Sequence, residues 1–366
     1  MFAGRNHISN VANTCGVVRR PSQNGGLINS LSTWPLSFPI ILSRGPRRTF
    51  ISWSTNKNNR LLELLLTVAC CLILIGARPL KAQIRGQYES GLNATNSGTL
   101  APPGLTYANL FQLYSFNQAK DGNGIRHPIT GNLSVLFDHN ILNWTTKETE
   151  HGMRYAFIAD IPFSSNSLTI VDLGSLRSGA GITDIYIQPL TLGWKLKRAD
   201  IQIAYGFIAP TGRFKGGADD NAGSGYWGND ISSGQTVHLT KNKRTAFSAY
   251  EMYEFHGTQR DTHIHPGQTI NLDYSLMQII PLQKNKLTLL QLGLVGYEQH
   301  QTTDKSGPTI TPEQASTRYR VNAMGGAANI ILPGRKAAIS FKALKEFGNR
   351  STVQGYSIQI GGAITF

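Results

Sequence analysis

Cysteine is rare in this chain of 366 residues, and its distribution is uneven. Its three cysteines, Cys15, Cys70 and Cys71, all precede residue 82, so residues 83–366 contain none. A disulfide framework and a cysteine-based metal site are therefore excluded from the body of the protein. A body without thiols is also compatible with passage through an oxidising compartment.

Long apolar runs are scarce as well. Residues 61–76 read LLELLLTVACCLILIG, with a single charge, which is short of the roughly 20 apolar residues that a spanning helix needs. Lys57 and Arg60 precede this run and small residues follow it, the layout of a secretory signal. We therefore expect a signal peptide at 61–82, cleaved after Ala82, and no transmembrane helix in the mature chain.

Acidic residues are absent from residues 1–60, which contain eight lysines and arginines and scattered Ser and Asn. This composition is typical of an organelle transit peptide. The alternative is a stretch translated by mistake from upstream of the true start, which would be a disordered leader. We favour the second interpretation, because a signal and a body of bacterial type follow.

The formal charge of +14 would by itself indicate binding to nucleic acid or to a membrane surface. Residues 1–82, however, contain ten basic residues and one acid, which account for +9 of that charge. Residues 83–366 contain 25 basic and 20 acidic residues, which leaves +5. Most of the excess belongs to the leader, so nucleic-acid binding is excluded.

The body of the chain alternates apolar and polar residues over segments of ten to fifteen residues, as β-strands do. In 201–207, for example, one face contains Ile201, Ile203, Tyr205 and Phe207. This pattern predicts twelve strands, near 104–117, 131–147, 152–165, 182–196, 199–211, 233–242, 244–257, 267–282, 285–300, 316–333, 336–347 and 354–366.

The connections between these strands alternate between short and long, with long ones at 118–130, 166–181, 212–232, 258–266, 301–315 and 348–353. An even strand number, short periplasmic turns and long external loops are typical of bacterial outer-membrane barrels. We therefore predict an all-β fold, a closed antiparallel transmembrane β-barrel over 104–366. Residues 83–103 are expected to form an N-terminal periplasmic segment.

The last strand alternates to the end of the chain and stops on an aromatic residue. Its apolar face includes Tyr356 and Phe366, which we interpret as part of a barrel-assembly signal. The closing strand must pair with the first so that no edge remains in lipid. The alternative, an ordinary last strand of a soluble sandwich, is disfavoured by the alternation of loop lengths.

Charged side chains on the polar faces of these strands are expected to point into the lumen, because facing lipid at mid-membrane would cost about 2–4 kcal/mol. Both signs are present, which argues against a strongly ion-selective pore. For most of these residues a self-satisfying polar filling is the favoured role, and twelve strands indicate a narrow or plugged lumen. The lumen candidates are Arg154, Asp160, Asp273, Arg318, Arg320 and Lys342.

The predicted loop after residue 211 is rich in residues that could act at the mouth of a barrel. It could fold over the mouth and filter solutes, or its acids, Asp219 and Asp220, could bind a divalent cation. Alternatively, its Gly and Pro residues set the turns and its tryptophan joins an aromatic girdle. We favour loop architecture over a metal site for the motif of Pro210, Thr211, Gly212, Arg213, Asn221, Gly223, Gly225 and Trp227.

Signals for catalysis are weak. His263 and His265 could form a metal pair, but they lie in a predicted external loop where surface histidines are usual. His256, Ser248 and Glu254 cannot be assembled into a nucleophile–base pair from the sequence, and no nucleotide fingerprint occurs. We therefore predict no catalytic residues, no metal and no cofactor.

Several stretches are more specific than a periodic pattern. They are GITDIYIQPLTLGW at 181–194, KRAD at 197–200, YGFIAPTGRF at 205–214, NAGSGYW at 221–227 and YEFH at 253–256. With these stretches the sequence resembles the meta-pathway phenol-degradation family of outer-membrane proteins over residues 100–366. The resemblance implies a barrel channel or transporter that occurs with aromatic catabolism, and it says less about the solute.

These observations predict a channel in the bacterial outer membrane that passes small apolar or aromatic solutes by diffusion. Its expected partners are outer-membrane lipid, the barrel-assembly machinery and a small-molecule solute, and not nucleic acid. Two alternatives remain open: an outer-membrane enzyme with a site at the barrel rim, and a structural or adhesive barrel with a closed lumen.

Overall fold

A computed structural model describes residues 85–149, 152–170, 174–218, 220–283 and 288–366. Within these ranges, 127–133, 167–170 and 174–179 are described by their backbone alone. The leader predicted over 1–60 and the signal peptide predicted over 61–82 lie outside the described residues.

The described chain is almost entirely strand. The strands are β1 (Gly104–Lys120), β2 (Arg126–Thr145), β3 (Met153–Asp160), β4 (Phe163–Ile170), β5 (Gly174–Ile182), β6 (Ile185–Lys195), β7 (Ala199–Ala209), β8 (Gly228–His238), β9 (Thr245–His256), β10 (Thr269–Pro281), β11 (Leu289–Gln301), β12 (Arg320–Leu332), β13 (Ala337–Glu346) and β14 (Val353–Thr365). A short helix, α1 (Pro312–Ser316), and a 3-10 turn (Pro333–Arg335) interrupt two of the connections. No helix among the described residues is long and apolar enough to cross a membrane.

These fourteen segments form twelve barrel strands. One half of β2 pairs with β3 and the other half with β4, so β3 and β4 are one strand broken at residues 161 and 162. In the same way β5 pairs with β4 and β6 with β3. Every neighbouring pair is antiparallel, and β1 pairs with both β2 and β14. The predicted closed barrel of twelve strands is confirmed.

The predicted strands match the observed ones except near the long connections. The predicted loop 166–181 contains most of β4 and β5, which pair as a hairpin, and β8 starts at Gly228 rather than near 233. The segments FSSNSLTI and GSLRSGAGI are rich in Ser and Gly and lack a continuous alternation of apolar and polar residues. Strands that extend beyond the membrane need no apolar face, so alternation of hydrophobicity does not reveal them.

The outer face of the barrel is an apolar belt. Exposed large side chains occur on most strands, among them Phe111, Leu142, Ile203, Phe247, Leu276, Leu294, Phe341 and Ile360. The inner face is largely buried and combines polar side chains such as Asp273 and Gln359 with apolar ones such as Phe137 and Met277. An exposed belt of this kind around a closed sheet suits a lipid environment, since neighbouring strands of the closed wall pair their backbone groups with one another.

A segment of the chain fills the barrel. Residues 85–103, which we name the inserted segment, were expected in the periplasm but run through the lumen between opposite walls. The segment is so close to the wall that a Cβ on Gly98 would lie 2.0 Å from the carbonyl oxygen of Asp200. The periplasmic assignment is therefore wrong for these residues, because the polar inner wall supplies partners that the segment uses along its length.

Replacing Phe341, an exposed residue in the middle of β13, by arginine should destabilise the folded barrel by about 2–4 kcal/mol, the cost of a charge at mid-membrane. Urea titration of folding into lipid vesicles measures this change. Phe347→Arg is the matched control, because Phe347 is equally exposed but lies just beyond the end of β13. Equal destabilisation by both variants would contradict the assignment of the belt.

Candidate functional site

One end of the inserted segment is held by a buried ion pair. The Arg85 guanidinium lies 2.6 Å from the Glu346 carboxylate. It also donates to the Tyr114 hydroxyl at 2.9 Å and to the Val353 carbonyl at 2.6 Å. Glu346 ends β13, next to a long connection, so this anchor lies at the long-loop end of the barrel. Such a pair is costly to break, because either partner alone leaves a buried charge uncompensated.

Two carboxylates of the wall bind the backbone of the inserted segment at its middle. Glu254 accepts the amide of Gln87 at 2.6 Å and that of Tyr88 at 3.0 Å. Asp273, which is fully buried, accepts the amide of Gly91 at 2.9 Å and the Tyr88 hydroxyl at 2.6 Å. Buried backbone amides need acceptors, and here wall side chains supply them.

The Tyr88 phenol remains a donor in this arrangement. A tyrosine hydroxyl is protonated at neutral pH, so Tyr88 donates its hydrogen to the Asp273 carboxylate.

The remainder of the segment passes to the short-turn end. Lys342 donates to the carbonyls of Gly91 and Leu92, both at 2.7 Å. Thr99 then donates to Asp200 at 2.8 Å, and the Ala101 carbonyl accepts from Arg154 at 3.0 Å. The inserted segment therefore extends through the barrel before β1 begins at Gly104.

The six lumen candidates divide into two groups. In the structure Asp160 and Asp273 are buried inside the barrel, and Arg154 and Lys342 bond to the inserted segment. Arg318 and Arg320 do not face the lumen. Arg318 is exposed and pairs with Asp304 at 2.9 Å, and Arg320 is exposed at the start of β12.

The prediction that Arg318 and Arg320 face the lumen is wrong for a physical reason. Tyr319 and Val321 alternate with these arginines and would face outward if the arginines faced the lumen, but both are buried inside, and the Tyr319 hydroxyl accepts the Gly86 amide at 2.6 Å. Here β12 begins, next to the long connection that contains α1, so the outer face lies beyond the lipid and can carry arginine without cost. On the inner side, the inserted segment provides the Gly86 amide as a hydrogen-bond donor to the Tyr319 hydroxyl.

Sequence reasoning missed Arg85, Glu254, Glu346 and His139 as lumen residues. The phase of 246–255 is ambiguous in the sequence because Tyr250 and Met252, both apolar, face inward beside Glu254. The available signal for these lumen residues was the presence of isolated acidic residues in otherwise apolar strands. Nothing in the alternation, however, indicates which distant residue would neutralise them.

The external-loop motif is organised around Asp184, a buried carboxylate between β5 and β6. One of its oxygens accepts the Gly212 amide at 2.9 Å, and the other accepts both the amide and the hydroxyl of Ser224, at 2.7 and 2.5 Å. A Cβ on Gly223 would lie 2.8 Å from the Gly212 α-carbon. These two glycines are therefore required by the close approach of the two arms of the loop.

The other motif residues also have structural contacts. Thr211, which follows Pro210 at the end of β7, accepts the Ile185 amide at 3.0 Å. Arg213 pairs with Asp220 at 3.0 Å on the exposed surface. The Asn221 side chain accepts the Lys215 amide at 2.8 Å.

Two further motif residues shape the end of the loop. Gly225 has a positive φ of 77° and leaves room for the Phe214 ring, which a Cβ would approach to 2.4 Å. Trp227 is 56% exposed and lies against Phe207, with ring centroids 6.2 Å apart. These contacts support loop architecture, and Asp219 lies outside the described residues.

The loop also contacts the inserted segment. The Gln87 side chain donates to the Ser224 hydroxyl at 2.7 Å and to the Tyr226 carbonyl at 3.2 Å. The Tyr226 side chain is buried, and its ring lies 5.4 Å from that of His256. Loop 210–227 and the inserted segment therefore form one hydrogen-bonded assembly at this mouth.

Histidines of the rim do not assemble into a metal site. Across the described ranges no three His, Cys, Asp or Glu side chains are grouped so that they could hold a metal ion. His256 bonds to Glu254 at 3.1 Å and to the Gly267 carbonyl at 2.6 Å. His265 accepts the Gly267 amide at 3.2 Å. These rings have structural partners in the loops.

Beside the inserted segment the lumen contains a cavity of about 250 Å³. Residues of β2, β3, β6, β7 and β9 form its wall side. Apolar surface predominates in the lining, to which polar side chains also contribute, among them His139 and Asp160. The lining residues are Gln87, Tyr88, Glu89, Leu92, Asn93, Phe137, His139, Ile141, Asn143, Ile158, Asp160, Pro162, Thr183, Asp184, Tyr186, Gln188, Ile208, Tyr250 and Met252.

The sequence model of a family described as "Putative MetA-pathway of phenol degradation" matches residues 116–360. The chain belongs to this family. No curated protein sequence matches the chain.

Among solved structures, the fold is similar to that of an outer membrane channel from Pseudomonas putida F1. The TM-score is 0.59 at 14% identity, over 74% of this chain and 98% of that one. Weaker similarity is found to the β-domain of the Bordetella autotransporter BrkA, with a TM-score of 0.46, 11% identity and coverage of 72% and 100%. The CymD monoaromatic hydrocarbon channel gives a TM-score of 0.36 and 9% identity, with coverage of 79% and 95%. The first of these similarities establishes that the fold is that of outer-membrane barrels.

Replacing Glu346 by alanine should loosen the inserted segment, because Arg85 would lose its carboxylate at a cost of about 3–5 kcal/mol. In planar bilayers we expect larger or more frequent current steps than for the wild type. Arg318→Ala, which removes an exposed ion pair, is the control and should leave the current unchanged. An E346A current equal to that of the wild type would show that the pair does not hold the segment.

Replacing Gly223 by alanine should displace the loop, since the new Cβ would lie 2.5 Å from an Asp184 oxygen. Trypsin should then cut faster after Arg213 or Lys215, as seen by mass spectrometry of the folded protein. Gly122→Ala is the control, because a Cβ there meets only an ordinary contact of 3.6 Å with Ser351. Equal cleavage of both variants would refute the role of Asp184 as an anchor.

Proposed function

We propose that the protein is a channel of the bacterial outer membrane that passes small apolar or aromatic solutes by diffusion. The observation that carries this proposal is the cavity beside the inserted segment. It lies within the lumen, and its lining is dominated by aromatic and aliphatic side chains such as Phe137, Ile158 and Tyr250. A small apolar ring would bury its surface there, which water and ions would not.

The filled lumen favours a narrow path over a wide aqueous pore. The inserted segment occupies the middle of the barrel and bonds to opposite walls, through Glu254 on β9 and Lys342 on β13. A solute would move through the space left between the segment and the β2–β6 wall. This mechanism is geometric and requires no energy source.

The remaining expectations belong to the same proposal. The apolar belt favours insertion among outer-membrane lipids, after export through the predicted signal peptide. The final strand, with Tyr356 and Phe366 exposed and β14 closed onto β1, suits recognition by the barrel-assembly machinery. A non-enzymatic role is supported by the rim pair Glu254 and His256, which serves the inserted segment and loop 258–268.

One alternative has an observation in its favour. The buried Arg85–Glu346 anchor and the seated loop close the long-loop mouth, as a structural or adhesive barrel with a shut lumen would require. In that case the cavity would be a packing defect through which no solute passes.

Channel function is tested with the mature chain from Gln83, folded in detergent and inserted in a planar bilayer with and without phenol. We expect small discrete current steps that phenol partly blocks. Uptake of labelled phenol by cells that produce the protein is the companion measurement. Ile141→Trp, which fills the cavity, should reduce uptake severalfold, whereas Leu142→Trp, on the adjacent outward-facing residue, should not.

A heat-modifiable barrel that gives neither current nor uptake would reject the channel and favour the closed structural barrel. Equal uptake by the two tryptophan variants would show that solutes do not use the cavity.

A further inference from the structure

The cavity contains a histidine–carboxylate pair with unused bonding capacity. His139 Nδ1 lies 2.7 Å from Asp160 Oδ2, and the two residues are 3% and 8% exposed. The other atom of each group, His139 Nε2 and Asp160 Oδ1, is buried and has no hydrogen-bond partner within the part of the chain that the structure describes. Buried polar atoms are normally paired. Asp200 Oδ1 and His238 Nδ1 also lack a partner among the described residues, but His139 and Asp160 line the cavity, where a ligand could supply the missing bonds.

In the tautomer in which a neutral His139 donates from Nδ1 to an ionised Asp160, the two unpartnered atoms of this pair are both acceptors. An ionised carboxylate only accepts hydrogen bonds. A neutral imidazole that donates from Nδ1 to that carboxylate presents a bare lone pair at Nε2. The pair therefore offers acceptors to the cavity and needs a donor from it.

The surroundings restrict which donor suits the site. The Phe137 ring lies 6.0 Å from that of His139, and Ile141, Ile158 and Met252 line the same space. An apolar cavity of about 150 Å³ already binds benzene, and this one is about 250 Å³. A flat ring with one hydroxyl would match the apolar part of the lining and supply a donor to one of the two acceptors.

We propose that this cavity is a binding site for a small monocyclic aromatic solute with a hydroxyl donor, whose hydrogen bonds to His139 Nε2. Asp160 is the positioning residue that holds the imidazole in the accepting form. The inference rests on the proposed channel function and adds a selectivity to it. Hydroxylated rings are retained in the cavity, and hydrocarbon rings of the same shape are not.

A second histidine–carboxylate pair provides a matched control. His238 Nε2 lies 3.8 Å from Asp200 on the inner face of β8 and β7. Neither residue lines the cavity. Removing the His238 imidazole therefore tests for a general effect of losing a lumen histidine.

Binding is measured by ¹⁹F NMR titration of the folded protein with 4-fluorophenol and with 4-fluoroanisole, which has the same ring and no hydroxyl donor. The wild type should bind the phenol more tightly. His139→Phe should weaken phenol binding about tenfold, the value of one hydrogen bond in a buried site, and leave the anisole unchanged. His139→Gln, which keeps an accepting oxygen, should retain part of the preference, and His238→Phe all of it.

The outcomes separate the selectivity from the channel. Equal binding of both solutes by the wild type, or an unchanged preference in both His139 variants, would overturn the inference and assign the acceptors to water. Phenol uptake and block of the current would then still support the channel. Heat-modifiable migration checks the fold of each variant, and the glutamine variant keeps the test valid if the phenylalanine variant does not fold.

Discussion

The constraint on which this structure depends is the polarity of the inner wall. A closed barrel in lipid directs its apolar side chains outward, so its charged ones must lie inside and find partners there. Glu254, Asp273 and Glu346 are almost completely buried. The inserted segment supplies donors to all three: backbone amides to Glu254 and Asp273, and the Arg85 guanidinium to Glu346. The barrel and the segment are thus two halves of one hydrogen-bond network.

That network also explains the glycines and small residues along the path. The segment fits at Gly98 and the loop closes at Gly212 and Gly223 because no Cβ intervenes. Ser224 then links Asp184 of the wall to Gln87 of the segment. Close backbone approach therefore lets short polar side chains join elements that are distant in sequence.

The sequence predicts those features that depend on local patterns, and it does not predict those that depend on contacts between residues distant in the chain. The belt, the strand number and the closure of β14 on β1 depend on local alternation, and all were predictable. The direction of Arg318 and Arg320 was not, because at the start of β12 water replaces lipid outside and the inserted segment replaces water inside. The path of residues 85–103 could not be predicted either, because a segment that bonds to strands around the barrel wall shows no periodic sequence pattern. Among the cavity residues, Asp160 was predicted to face inward. Its pairing with His139 depends on strand register, which the alternation does not give.

The same network distinguishes the cavity from the rest of the lumen. Along the inserted segment, wall carboxylates receive donors from the segment: Glu254 from Gln87, Asp273 from Gly91, Glu346 from Arg85. Asp160 instead bonds to a neighbouring wall residue, His139, and an acceptor of each is left unpaired. These two residues lie on β2 and β3, beside the break in the wall at residues 161 and 162, where the cavity separates wall from segment. Asp200 and His238 also each leave an atom without a partner among the described residues, but neither of them lines the cavity. At His139 and Asp160 the unpaired atoms coincide with open space, which leaves room for a donor from outside the chain.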